Sequence, residues 1–220
     1  MDLLYAAHVP AGDGPFPTVL LLHGWGASAH DLLGLAPSIH CGGGGALVLC
    51  PQGPVAVPFG GGEYGWGWFP MTPGMPPDLD AFRHAAGLLR AFVGAALERY
   101  PVDRERLVPM GFSQGGVMAY ELALREPQRF AGVAALSSWL PVPLAEDLPR
   151  LPAHEGFPTL VVHGTRDTML EVERARESRE LLRPFGVALT YREFDMGHEI
   201  RPDALRVILR WLDEKAFRSR

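Results

Sequence analysis

The chain has 220 residues, 47% of them hydrophobic and 20% charged, with a net charge of −5. That length and balance fit an ordinary globular protein with one large core across residues 1–220, and nothing in them calls for a second domain. The acidic excess argues against nucleic acid, which asks for a clustered basic surface. Of the 20 basic residues only Lys215 is a lysine, and it lies in the tail. Walker A, pyridoxal-phosphate and Ser-x-x-Lys chemistry, which need a lysine at an internal turn or strand end, therefore fail.

The opening stretch, MDLLYAAHVPAGDG, has Asp2 where a secretory signal wants a basic residue, and His8 and Pro10 interrupt its apolar character. No run approaches the roughly 18 apolar residues of a membrane span. A cytoplasmic protein without a transmembrane segment is expected.

Thr18–Leu22 (TVLLL), Ala46–Cys50 (ALVLC), Leu107–Met110 (LVPM), Gly132–Leu136 (GVAAL) and Thr159–Val162 (TLVV) read as buried strands, too short for helices and mostly continuous rather than alternating. Val187–Phe194 alternates more and reads as a further strand. Between them, Asp78–Tyr100 repeats apolar residues at helical spacing and ends at Pro101. Gln114–Glu126 stops before Pro127, Glu171–Pro184 has a charged outer face, and Pro202–Ala216 begins with a proline near N1. The alternation predicts an α/β fold with a doubly wound, mostly parallel sheet. Two stretches read as loops: Cys41–Gly45 (CGGGG), and Pro51–Pro77, which carries seven glycines and seven prolines beside Trp66, Trp68 and Phe69. Cys41 and Cys50 make neither a CxxC pattern nor a zinc spacing, and Cys50 reads as a buried free thiol.

Gly111-Phe112-Ser113-Gln114-Gly115 matches G-x-S-x-G. The pattern alone is weak, but here a strand ends at Gly111 and a helix starts at once. A serine on so sharp a turn is exposed and strained, and small neighbours let other chains approach it. The following helix aims free N–H groups and its positive end at the space beside Ser113, as a developing oxyanion requires. Ser113 is therefore a candidate nucleophile rather than a plain structural turn.

A serine hydroxyl needs a base. On this kind of sheet the order is Ser, then acid, then His, which selects His198 in FDMGHEI. His8, His30, His40, His84 and His154 read as surface residues, and His23 and His163, both in HG at strand ends, as loop-orienting residues. Asp167, four residues beyond His163 at a strand C-terminus, is the leading acid. Asp195 and Glu193 rival it by closeness to His198, although Asp195 would more readily cap the turn. Trp25, after His23-Gly24, offers a backbone N–H that would join that of Gln114 in an oxyanion hole; the alternative is a glycine turn with a packed tryptophan.

Together GFSQGG (111–116), AALSSWLP (134–141), LLLHGWG (20–26), VVHGTRD (161–167) and MGH (196–198) resemble the acyl-protein thioesterase family of α/β-hydrolases, also called phospholipase/carboxylesterase. The resemblance spans roughly residues 16 to 215, in order. It implies a domain without a large cap, a Ser113–Asp167–His198 triad and an oxyanion hole from the backbone of Trp25 and Gln114. It also implies that Trp68 and Phe69 line the acyl side, that Trp139 and Leu140 stand at the opposite wall, and that Met169, two residues after the acid, also faces the acyl group. The chain departs from the family pattern at Ala27 and Thr168, where a polar residue and proline are usual, and at Trp25, where leucine is common.

A serine carboxylesterase or thioesterase of short to medium acyl chains is the resulting expectation, needing neither metal nor cofactor. Its substrate would be a small-molecule ester or thioester, an acylated protein or a lysolipid, and the chain would act as a monomer or homodimer. The reaction should fail at acid pH, where the base is protonated. The rival readings are a lysophospholipase or specialised esterase, a peptidase of the same fold, and a non-catalytic binding protein on a hydrolase scaffold.

Overall fold

The protein is described from a computed structural model that covers residues 3–41, 44–71 and 78–218. Parts of the two expected loops, residues 42–43 and 72–77, lie outside the described residues. Among the described residues the strands Tyr5–His8 (β1), Phe16–Leu22 (β2) and Leu47–Pro51 (β3) come first. A hairpin follows, Val55–Gly60 (β4) and Glu63–Gly67 (β5). The helix Leu79–Arg99 (α1), the strand Val102–Phe112 (β6) and the helix Gln114–Arg125 (α2) come next. The chain closes with Val133–Leu136 (β7), Val142–Asp147 (α3), Pro158–Gly164 (β8), Val172–Leu182 (α4), Ala188–Phe194 (β9) and Pro202–Trp211 (α5).

The main sheet runs β1-β3-β2-β6-β7-β8-β9. Every pairing is parallel except β1 against β3. Both faces are covered, which is why β2 is buried along its whole length. The period of two divides its side chains: Leu20 and Leu22 pack with Leu89, Phe92, Val117 and Tyr120 of α1 and α2, while Val19 and Leu21 face Ile208 and Trp211 of α5. Asp78 caps α1, its Oδ1 accepting the N–H groups of Asp80 and Ala81 at 3.1 and 2.9 Å.

Two expectations change, and one strand is new. Pro51–Pro77 is not a plain loop, because β4 and β5 form a hairpin inside it. Gly60, Gly61 and Gly62 turn that hairpin at positive φ, and the glycine and proline density that reads as loop is turn chemistry and edge-strand chemistry. The four residues of β1 give too short a pattern to register, yet they close one edge of the sheet by pairing Tyr5 with Pro51. His154 is not a surface histidine. It is buried, with Nε2 donating to Leu124 O at 2.8 Å and Nδ1 accepting from Leu151 N at 3.1 Å. The Cys50 thiol is free and buried, and burial pushes its pKa up to about 12.

Candidate active site

β6 ends at Phe112 and α2 begins at Gln114, so Ser113 must turn the chain alone. It does so at φ 53° and ψ −122°, a strained conformation for a residue with a Cβ. The surroundings hold it there. Ser113 N–H donates to Leu136 O at 2.9 Å, and Ser113 O accepts from Ser138 Oγ at 2.6 Å and from Gly116 N at 2.9 Å. The glycines have a steric duty: a Cβ at Gly111 would lie 2.1 Å from Gly115 O, and one at Gly115 would lie 2.1 Å from Leu22 O. The strand-to-helix turn is possible only because neither position carries a side chain.

Asp167 and His198 come from the loops after β8 and β9. Their contact, His198 Nδ1 to Asp167 Oδ2 at 2.6 Å, fixes the tautomer: Nδ1–H donates to the carboxylate, leaving Nε2 as the basic nitrogen. Met169 N and Leu170 N donate to Asp167 Oδ1 at 3.0 and 2.8 Å. The carboxyl side chain is fully buried and the imidazole is 14% exposed. Behind them His163 donates from Nε2 to Leu170 O at 2.8 Å and lies 3.5 Å from Asp167 Oδ2. The His198 ring packs on Phe112, the residue before the serine, with centroids 4.8 Å apart. The rival acids stand elsewhere: Asp195 pairs with Arg166, and Glu193 with Arg176.

The loop after β2 is clamped by the hairpin. Gly53 N–H donates to His23 Nε2 at 2.9 Å, so that nitrogen is bare and Nδ1–H donates to Gly24 O at 2.8 Å. Burial lowers the His23 pKa, against smaller raising effects from Gly24 and Asp31, which keeps this arrangement neutral. Gly26 N donates to Trp66 O and Trp66 N to Ala27 O, both at 2.8 Å. Trp68 Nε1 donates to His23 O at 2.9 Å. The Gln114 side chain completes the clamp: Oε1 accepts from Trp68 N at 2.8 Å and Nε2 donates to Phe69 O at 2.7 Å. His23 and His163 thus orient loops, as their place at strand ends implied.

A cavity of 840 Å³ opens at the C-terminal edge of the sheet. Ser113, His198, Trp25, Trp139, Leu140 and Met169 line it, together with Leu32, Met71, Pro141, Val142 and, among charged residues, Asp31, Arg174 and Glu177. Trp68 and Phe69 do not. Both are buried in the core, Phe69 edge-on to Phe82 at 5.4 Å and Trp68 tilted over His23 at 5.3 Å. The Gln114 amide holds the 68–69 backbone and Trp68 bonds to His23 O, so these aromatics support the loop after β2 instead of lining the cavity. Sequence reasoning missed the structural duties of the Gln114 amide and of Ser138. The glycine alternation in Gly65-Trp66-Gly67-Trp68 was the available signal, since glycine on one face of a strand marks close backbone approach. Among the described residues no group of His, Cys, Asp or Glu is placed to hold a metal, and no helix is long and apolar enough to cross a membrane.

A mostly parallel sheet, a strained serine at its carboxyl edge and a buried Asp–His pair beside it define an α/β-hydrolase. The chain belongs to the phospholipase/carboxylesterase family, whose sequence profile matches residues 5–215. It is 34% identical over 154 residues to NocK of Nocardia uniformis subsp. tsuyamanensis, an esterase assigned by name; the match covers 70% of this chain and 40% of that protein. It is 34% identical to acyl-protein thioesterase 1 of Gibberella zeae over 46% of this chain and 44% of that one. These two matches therefore span less than half of the relatives' own length. Acyl-protein thioesterase 1 of Mycosarcoma maydis is 26% identical, with 93% of each chain covered. Among solved structures, esterase PE8 superposes with a TM-score of 0.80 at 25% identity, over 98% of this chain and 100% of that one. The Bacillus cereus carboxylesterase reaches 0.80 at 22% identity over 97% and 95%, a likeness of fold.

Proposed function

We propose that this protein is a serine hydrolase that cleaves carboxylic esters or thioesters of short to medium acyl chains through an acyl-enzyme. The observation that carries the reading is that Ser113 and His198 line one cavity, with Asp167 Oδ2 2.6 Å from His198 Nδ1. Ser113 Oγ attacks the acyl carbonyl while His198 Nε2 takes its proton. The backbone N–H groups of Trp25 and Gln114 receive the oxyanion, helped by the positive end of α2. The intermediate collapses, His198 returns the proton to the departing alcohol or thiol, and the acyl group stays on Ser113. Water then attacks the acyl-enzyme with His198 as base, releasing the acid and restoring the serine. Asp167 holds the tautomer and stabilises the imidazolium.

The mostly apolar lining favours an acyl substrate, and the thioesterase names among the relatives favour including thioesters. Action as one catalytic domain in the cytoplasm belongs to the same proposal, and the free Cys50 thiol fits a reducing compartment. The test is hydrolysis of p-nitrophenyl esters and acyl thioesters by wild type and Ser113→Ala, with fluorophosphonate labelling of both. Hydrolysis and labelling by wild type alone are expected. Turnover retained in Ser113→Ala, or none in either with Ser113 unlabelled, overturns the proposal, and the second result favours a binding protein on this scaffold.

A further inference from the structure

Trp25 is a fixed part of the cavity wall. Its indole lies on Gly67 so closely that a Cβ there would be 2.2 Å from Cε3 and 2.5 Å from Cζ3. The backbone around it is pinned by the paired contacts of Gly26 and Ala27 with Trp66. On the same strand a Cβ at Gly65 would lie 2.0 Å from Gly26 O, so the loop is pressed onto β5 at two points. Gln114 Oε1 would be 3.3 Å from a Cβ at Gly67 and is itself held by Trp68 N–H. The indole cannot swing into the strand beneath it, and Trp25 lines the same cavity as Ser113.

The sheet order says which part of a substrate meets it. Trp25 follows β2, on one side of β6 and its serine, whereas Asp167 and His198 follow β8 and β9, on the other. The leaving group must lie by the imidazole that protonates it. The side toward β2 is left for the acyl group.

We propose that the Trp25 indole, seated on Gly67, is a rigid stop that sets the length of acyl chain accepted beside Ser113 and makes the enzyme selective for short acyl esters. This rests on the esterase reading above. The experiment compares kcat/KM for p-nitrophenyl acetate, butyrate and octanoate in wild type, Trp25→Leu and Ser113→Ala. Leucine keeps the backbone N–H, so any change in oxyanion binding falls on all three esters and cancels in the octanoate-to-acetate ratio. That ratio should rise about tenfold or more in Trp25→Leu, since each methylene that gains apolar wall contributes about fourfold. Gly67→Ala, which pushes the indole into the cavity, should lower it.

An unchanged ratio in an active, folded Trp25→Leu overturns the inference. So does a changed preference among acetate esters of longer alcohols with the acyl preference unmoved. Should Trp25→Leu fail to fold, Trp25→Phe keeps a smaller ring on Gly67 and must raise the ratio; an unchanged ratio there overturns the inference equally. Activity surviving in Ser113→Ala strikes the esterase reading instead, and so separates the two failures.

Discussion

Asp167 Oδ2 lies 2.6 Å from His198 Nδ1, across 31 residues of sequence, while Asp167 Oδ1 is taken by the N–H groups of Met169 and Leu170. Each carboxylate oxygen thus has its own task, one fixing the loop and the other fixing the imidazole. Asp167→Asn separates them. The amide oxygen still accepts the two backbone N–H groups, but the amide nitrogen now faces His198 and donates to Nδ1. The proton is forced to Nε2, where the base is needed. kcat should fall by about 10⁴-fold, the loss measured for the equivalent change in a serine protease, with the melting temperature little altered. Steady-state kinetics beside a thermal melt check it; a loss of under tenfold would rule out Asp167 as the group that orients His198.

Beneath that pair, His163 is fully buried and its Nε2–H donates to Leu170 O. His163→Leu leaves that carbonyl without its donor and loosens the turn that holds Asp167. The expected cost is about 1–3 kcal/mol in urea denaturation. kcat should fall, because the turn positions the acid. His163→Gln, which keeps a donor, should recover part of both. An unchanged kcat in His163→Leu would make His163 a packing residue only.

How far the sequence could be read depended on the range of the contacts. Ser113 was legible because its signal is local: a strand, a single serine between small residues, and a helix, all within a dozen positions. Asp167 and His198 followed from chain order on a sheet whose strands were plain apolar runs. Trp68 and Phe69 were misassigned to the substrate wall because the direction in which they face is set by Gln114, 46 residues from Trp68. His154 was read as exposed because its partner, Leu124 O, is 30 residues away. The β4–β5 hairpin was hidden by its own glycines: Gly60, Gly61 and Gly62 make its turn, and Gly65 and Gly67 let Gly26 and Trp25 press against the strand.

Glycines of opposite duty give mutations of opposite sign. A Cβ at Gly115 would meet Leu22 O at 2.1 Å and His23 O at 2.6 Å, backbone atoms of a central strand and its adjoining loop that cannot step aside. Gly115→Ala should cost about 3 kcal/mol or more, or prevent folding. Gly87 and Gly94 lie inside α1 with nothing within 4 Å of an added Cβ. Gly87→Ala and Gly94→Ala should each stabilise by about 0.5–1 kcal/mol, since alanine loses less backbone freedom on helix formation. Urea midpoints for the three variants check the signs; a stabilised Gly115→Ala would mean that the turn at Ser113 is looser than described.

His23 gives the protein an acid-sensitive point of stability apart from the Asp167–His198 pair. Its Nε2 accepts the Gly53 N–H and its Nδ1–H donates to Gly24 O, so the folded protein uses the neutral ring, and burial lowers its pKa below the ordinary 6.5. The sign follows from linkage. Below 6.5 the unfolded chain takes up a proton that the folded protein refuses until its own, lower pKa. The contribution is therefore complete above 6.5 and is lost as pH falls from there toward the folded value. Glu193 works in another window: its bond to Arg176, with a smaller one from Tyr191, holds its pKa at about 2 against 4.5, so its share is lost only below 4.5. Melting temperatures at about pH 7.5 and about pH 5.5 isolate the histidine. Wild type should melt lower at the acid value, and His23→Gln, though less stable throughout, should show a smaller drop. An equal drop in both proteins would place the acid sensitivity on other groups and leave the His23 ring free to charge in the fold.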